Sequence, residues 1–125
     1  MNQKAFVSTL GDVPWVESEQ NPGLLYKLLI DASNAETDGF SFGILQLEPG
    51  ASLLPHQHDP QESYFILEGE GLMHLAGTEK QVGPGSVIYI PRSHQHGITN
   101  TGSEPLVFIW TFPTDTWSEV EYCYQ

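Results

Sequence analysis

Two of the five histidines stand one residue apart in the stretch HQHDPQESY, residues 56–64, with Glu62 and Tyr64 close behind. Residues at i and i+2 of an extended strand point to the same side of a sheet, so His56 and His58 share a face if this segment is a strand. Glu62 and Tyr64 would share a face on the next strand in the same way. Two imidazoles and a carboxylate converging on one point form a donor set suited to a first-row transition metal. The spacing thus points to metal binding, provided that the surrounding elements hold these side chains together.

Those elements read as short strands. LLYKLLI (residues 24–30) is apolar and bounded on both sides by turn residues, Asn21-Pro22-Gly23 before it and the loop DASNAETDG after it. From Phe40 onward, strand-like runs follow one another. FSFGILQLE stops at Pro49-Gly50, and ASLLPHQH stops at Asp59-Pro60. ESYFILEG and GLMHLAG come next, then SVIYI, HGITN and PLVFIWTF, which ends at Pro113. Short strands punctuated by Gly and Pro in this way predict an antiparallel sandwich or barrel with little helix. The first twenty residues read as an irregular or edge-strand lead-in. The acidic end DTWSEVEYCYQ places Val120, Tyr122 and Tyr124 on one face and could return as a final strand or a pocket cover.

Within the strand pattern lie two fixed frames. The first is G-x5-H-x-H-x3-E-x6-G, with Gly50, His56, His58, Glu62 and Gly69. The second is G-x5-P-x4-H-x3-N, with Gly85, Pro91, His96 and Asn100. Together they resemble the two motifs of the cupin superfamily, over residues 40–112. The resemblance implies an all-β, single-domain cupin, a double-stranded β-helix or jelly-roll-type barrel with a metal in its mouth. It also implies His56, His58, Glu62 and His96 as the ligands. Such a set leaves one or two coordination positions for water or substrate, and suits Fe, Mn, Co, Ni or Zn more than Mg or Ca. One ion per chain is expected. Two departures from the simplest pattern bear on the second frame. Ser93 stands where the motif usually has glycine, so a changed loop around an intact metal site is expected. His94, two residues before His96, is the rival ligand; its other reading is a solvent-facing residue at the barrel mouth.

Tyr64 lies about 6.6 Å beyond Glu62 along the strand. A free tyrosine titrates near pH 10, and a neighbouring cation favours its phenolate, so Tyr64 is a candidate general base beside the metal. It also fits as a barrel-filling residue with a local hydrogen bond. A narrower resemblance favours the first role. HQHDPQESY, the early YKLLID and the ending FPTDTWSEVEY are similar to the small single-domain cupins that are dimethylsulfoniopropionate lyases. In that family the metal holds the substrate carboxylate, a tyrosine removes the α-proton, and β-elimination releases dimethyl sulfide and acrylate. Carried over by position, the resemblance implies Tyr64 as base, Tyr122 as an auxiliary pocket tyrosine, and substrate contacts from Tyr26, Trp110 and Tyr122. Tyr26 stands where a larger aromatic is usual. A sulfonium can be held by aromatic faces without any basic residue. Trp110, Phe108, Phe112, Trp117 and Tyr122 are available for that, although Phe108 and Phe112 read better as core.

Charge narrows the partners further. Sixteen acidic residues face only Lys4, Lys27, Lys80 and Arg92, too few bases for a nucleic-acid groove or an anionic membrane surface. No apolar run is long enough to span a bilayer, and the first residues lack the core of a secretory signal. Cys123 is the sole cysteine, which excludes an intrachain disulfide and fits a reducing compartment. The expectation is a cytoplasmic domain over residues 1–125: a lead-in to 39, a barrel over 40–112 and a tail from 113. Exposed sheet edges are commonly covered, so a homodimer is expected. Its partner would be a small-molecule carboxylate. Two other functions fit the same frames. One is a non-enzymatic metal-containing cupin that binds a small ligand. The other is an iron-dependent dioxygenase, whose carboxylate co-substrates usually need a basic clamp that only Arg92 could supply as an arginine.

Overall fold

The computed structural model describes residues 4–116 and the terminal strand Cys123–Tyr124. Eleven strands are present among the described residues: β1 (Val16–Glu17), β2 (Leu24–Ile30), β3 (Ser41–Leu47), β4 (Ser52–Gln57), β5 (Glu62–Glu68), β6 (Gly71–Leu75), β7 (Thr78–Val82), β8 (Val87–Ile90), β9 (His96–Asn100), β10 (Leu106–Phe112) and β11 (Cys123–Tyr124). The helical element among these residues is a single 3-10 turn, Leu10–Asp12. Among the described residues, no helix is long and apolar enough to cross a membrane.

The strands form two antiparallel sheets, ordered β1-β2-β3-β10-β5-β8 and β11-β4-β9-β6-β7. Period-two alternation decides which side of each strand faces the other sheet. In β5, Glu62, Tyr64 and Ile66 are buried while Ser63, Phe65 and Leu67 are exposed. The space between the sheets is filled by Leu45, Leu47, Ile66, Ile98, Leu106 and Phe108, among others. Fully burying an aliphatic or aromatic side chain of this size contributes about 1.5–3 kcal/mol, so this core holds the two sheets together. Every run read as a strand from residue 24 to residue 112 is a strand. β7, TEKQV, is a further one that periodicity does not single out. It pairs with β6 at the rim, and most of its side chains are exposed, so it has no apolar face to betray it.

The lead-in is more ordered than its composition suggests. β1 pairs with β2 through Val16↔Tyr26 and Glu17↔Leu25. The Lys27 ammonium donates to the Leu10 carbonyl at 2.7 Å and lies 4.8 Å from the centroid of the Trp15 ring. Asn21 is buried and accepts the Leu54 N–H at 3.1 Å, which ties the segment to β4 in the opposite sheet.

Candidate metal centre

Three strands from two sheets converge on one point. β4 and β9 are neighbours in the five-stranded sheet, and their register pairs His56 directly with His96. His58 follows one residue after the end of β4, and Glu62 opens β5 in the facing sheet. All four side chains are buried. Ring centroids lie 4.2 Å apart for His56 and His96, 4.9 Å for His58 and His96, and 5.6 Å for His56 and His58. One nitrogen from each of the three imidazoles lies within 4.8 Å of the others. The Glu62 Oε1 is 3.1 Å from His58 Nε2 and 3.3 Å from His96 Nε2.

The backbone selects the tautomer of each ring. His56 Nδ1 faces the Leu54 carbonyl at 2.7 Å, His58 Nδ1 the Pro60 carbonyl at 2.8 Å, and His96 Nδ1 the His94 carbonyl at 2.9 Å. A carbonyl can only accept, so each Nδ1–H donates and each neutral ring keeps its lone pair on Nε2. This is the outer bonding that commonly orients histidine ligands. Burial, and next the adjacent His96, lower the pKa of His56 to about 4, so it stays neutral and able to ligate across the physiological range. Three such nitrogens with one carboxylate fit a transition-metal ion by donor type and by convergence.

His94, the rival in sequence, is absent from this cluster. It is exposed, and its Nδ1 donates to the Arg92 carbonyl at 3.0 Å. Ser93 has φ 60, in the left-handed region that glycine adopts freely. Serine therefore serves here the turn that the motif usually assigns to glycine. Its N–H donates to the His58 carbonyl at 2.9 Å, which joins the two motifs beside the cluster. Asn100 is structural: its amide donates to the Leu47 and Glu104 carbonyls at 2.9 and 2.8 Å.

A cavity of about 430 Å³ reaches Glu62. Tyr64, Trp110 and Tyr26 line it, as do Leu45 and Leu53. Tyr64 is 2% exposed, with its ring centroid 6.2 Å from that of His96 and 4.4 Å from that of Phe108. Trp110 packs over β3 where Gly43 leaves room: a Cβ there would come within 2.5 Å of the indole. Phe108 and Phe112 are core residues, and the Phe112 ring stands edge-on to His58 at 5.1 Å. Tyr122 and Trp117 lie outside the described residues. Residues 16–21, which read in the sequence only as a lead-in, also line the cavity. The Asn21-Pro22-Gly23 turn was the visible signal, but a wall built by a segment distant in sequence has no local signature.

The Cupin domain model matches residues 43–112, a stretch that holds both motifs and all four converging side chains. The chain belongs to the cupin family. Among curated relatives, this cupin is 32% identical over 114 residues to dimethylsulfoniopropionate lyase DddW of Ruegeria pomeroyi, an alignment covering 91% of the chain and 67% of that protein. It is 36% identical over 69 residues to the oxalate-binding protein of Thermotoga maritima, covering 54% of the chain and 57% of that protein. Among solved structures, the polyketide cyclase RemF from Streptomyces resistomycificus superposes with a TM-score of 0.83 at 24% identity, covering 97% of the chain and 85% of RemF. That likeness establishes a shared fold.

Proposed function

We propose that this cupin is a metal-dependent lyase that eliminates a sulfide from a small zwitterionic carboxylate similar to dimethylsulfoniopropionate. The observation that carries the reading is that Tyr64 and Trp110 line one cavity with Glu62, whose carboxylate lies 3.1 Å from His58 Nε2 and 3.3 Å from His96 Nε2. The similarity to DddW supports the substrate class. His56, His58, Glu62 and His96 hold one transition-metal ion per chain, Fe, Mn, Ni, Co or Zn. When bound, this ion supplies a site for the substrate carboxylate and a positive charge that acidifies the neighbouring carbon. Tyr64, as phenolate, takes the α-proton. The C–H electron pair becomes the second bond of Cα=Cβ, the Cβ–S bond breaks, and sulfur departs with the Cβ–S electron pair as a neutral sulfide, leaving acrylate. Trp110 and Tyr26 present aromatic faces to the sulfonium. Tyr122 assists as a second pocket tyrosine.

Phenylalanine at position 64 keeps the ring and its packing on Phe108 but removes the proton acceptor. General-base contributions are typically about 10²–10⁴-fold, so Tyr64→Phe should lower kcat by that order with little change in KM and undiminished metal content. Full turnover in this variant would exclude Tyr64 as the base. A second reading has its own support. Similarity to the oxalate-binding protein favours a non-catalytic cupin that holds a small carboxylate, and tight binding without turnover would identify it. The wider expectations accompany either reading: one cupin domain over residues 1–125, a cytoplasmic location, and a homodimer. Exposed Phe65, Leu67, Val87 and Tyr89 on the outer face of β5 and β8 support the last of these.

A further inference from the structure

The inner face of β3 carries Ser41, Gly43, Leu45 and Leu47, all buried. Gly43 alone in that row has no side chain, and the strand register sets it directly opposite Trp110 of β10. The indole fills the gap. A Cβ on Gly43 would lie 2.5 Å from Trp110 Cζ2 and 2.9 Å from Cη2, the far edge of the six-membered ring. It would also meet the Lys27 carbonyl oxygen of β2. The indole thus reaches across to β3 because position 43 is a glycine. On its other side Trp110 pairs with Tyr64 of β5, whose ring packs on Phe108 at 4.4 Å. The Phe112 ring stands 5.8 Å from the indole. Tyr64, Phe108 and Phe112 are at most 2% exposed. A close-packed interior has no spare room for a displaced ring. The open space beside this indole is the cavity, which Trp110 and Leu45 both line.

We infer that Gly43 is a specificity-determining position. By housing the far edge of the Trp110 indole it sets the width of the cavity, and so the bulk permitted at the ligand end remote from the carboxylate. The inference rests on the proposed placement of the ligand carboxylate at the metal. Gly43 lies outside both cupin motifs and has no functional group; it acts through Trp110.

The test uses two unreactive carboxylates, 4-methylpentanoate and 4-ethylhexanoate. Both have an uncharged remote end without a leaving group, and they differ only in its bulk. Each is titrated calorimetrically into the metal-loaded full chain as wild type, Gly43→Ala, Trp110→Phe and the double variant, with metal content measured in each. In Gly43→Ala the displaced indole narrows the cavity. Preference for the smaller probe should then rise about ten-fold, the scale of one misfit methylene in an apolar pocket. Phenylalanine lacks the ring edge that reaches Gly43. Trp110→Phe alone should therefore shift the preference toward the larger probe by about two-fold or more. Adding Gly43→Ala to it should leave that preference within about two-fold, because the two sites are coupled through the indole. An equal rise from Gly43→Ala in both backgrounds would overturn the inference, since the Lys27 carbonyl and not the indole would be the cause. An unchanged preference in Trp110→Phe would also overturn it, and that result stands even where Gly43→Ala is too unstable to purify. Absence of binding to the wild type by both probes would overturn the carboxylate placement and the inference with it. Neither probe has to react, so a missing lyase activity beside the expected shifts counts against the elimination alone.

Discussion

At the scale of single residues, two histidines of identical chemistry, separated by one position, have opposite fates. His96 is buried, with its Nδ1–H on the His94 carbonyl and its Nε2 3.3 Å from Glu62. His94 is exposed and turned to the Arg92 carbonyl. The account predicts that His96→Ala loses most of its metal, read by elemental analysis of the purified protein, while His94→Ala keeps it. The reverse pattern would mean that the second motif is in the wrong register. The convergence of His56, His58 and Glu62 was legible in sequence because strand periodicity turns spacing into direction, whereas His96 was legible only through the resemblance of its frame to the second cupin motif. Ser93 was less legible. Its φ of 60 costs on the order of 1 kcal/mol for a residue with a Cβ. Sequence alone does not say that its N–H reaches the His58 carbonyl and helps hold that turn.

At the scale of elements, the centre depends on how closely β4 and β9 approach. Gly97, the residue after His96, sits against the backbone of β4. A Cβ there would lie 2.9 Å from the Leu53 carbonyl oxygen and 3.0 Å from the Pro55 nitrogen. Backbone atoms cannot rotate away as a side chain can, so Gly97→Ala must part the strands where His56 and His96 pair. A destabilisation of about 1–3 kcal/mol is expected, as for other overpacked sites, together with weaker metal retention. Urea unfolding checks it through a lower midpoint at constant slope. A midpoint equal to that of the wild type would show that the strands do not need this approach. The same scale explains what sequence could not show. The barrel strands from residue 24 to 112 announce themselves by apolar runs between turns. β7 has no apolar face, and residues 16–21 wall the cavity only because Lys27, Asn21 and the β1–β2 pairing hold them there. Such placement is a property of long-range contacts.

At the scale of the whole molecule, a net charge of −12 coexists with a cavity whose described lining has no basic residue. On the proposed reading, a metal held by the cluster would be the principal anchor for a ligand carboxylate, and the remainder of the ligand would meet a lining that includes Tyr26, Tyr64 and Trp110. The lack of a basic residue in that described lining favours a zwitterion over a dicarboxylate, and the proposed elimination needs no oxidant. The most direct measurement is product analysis after anaerobic incubation of the metal-loaded protein with dimethylsulfoniopropionate, beside a metal-stripped sample and an aerobic one. The account predicts equal amounts of dimethyl sulfide and acrylate, at the same rate with and without oxygen, and none from the stripped protein until metal is restored. Product formation that requires oxygen, or that persists in the stripped protein, would contradict it.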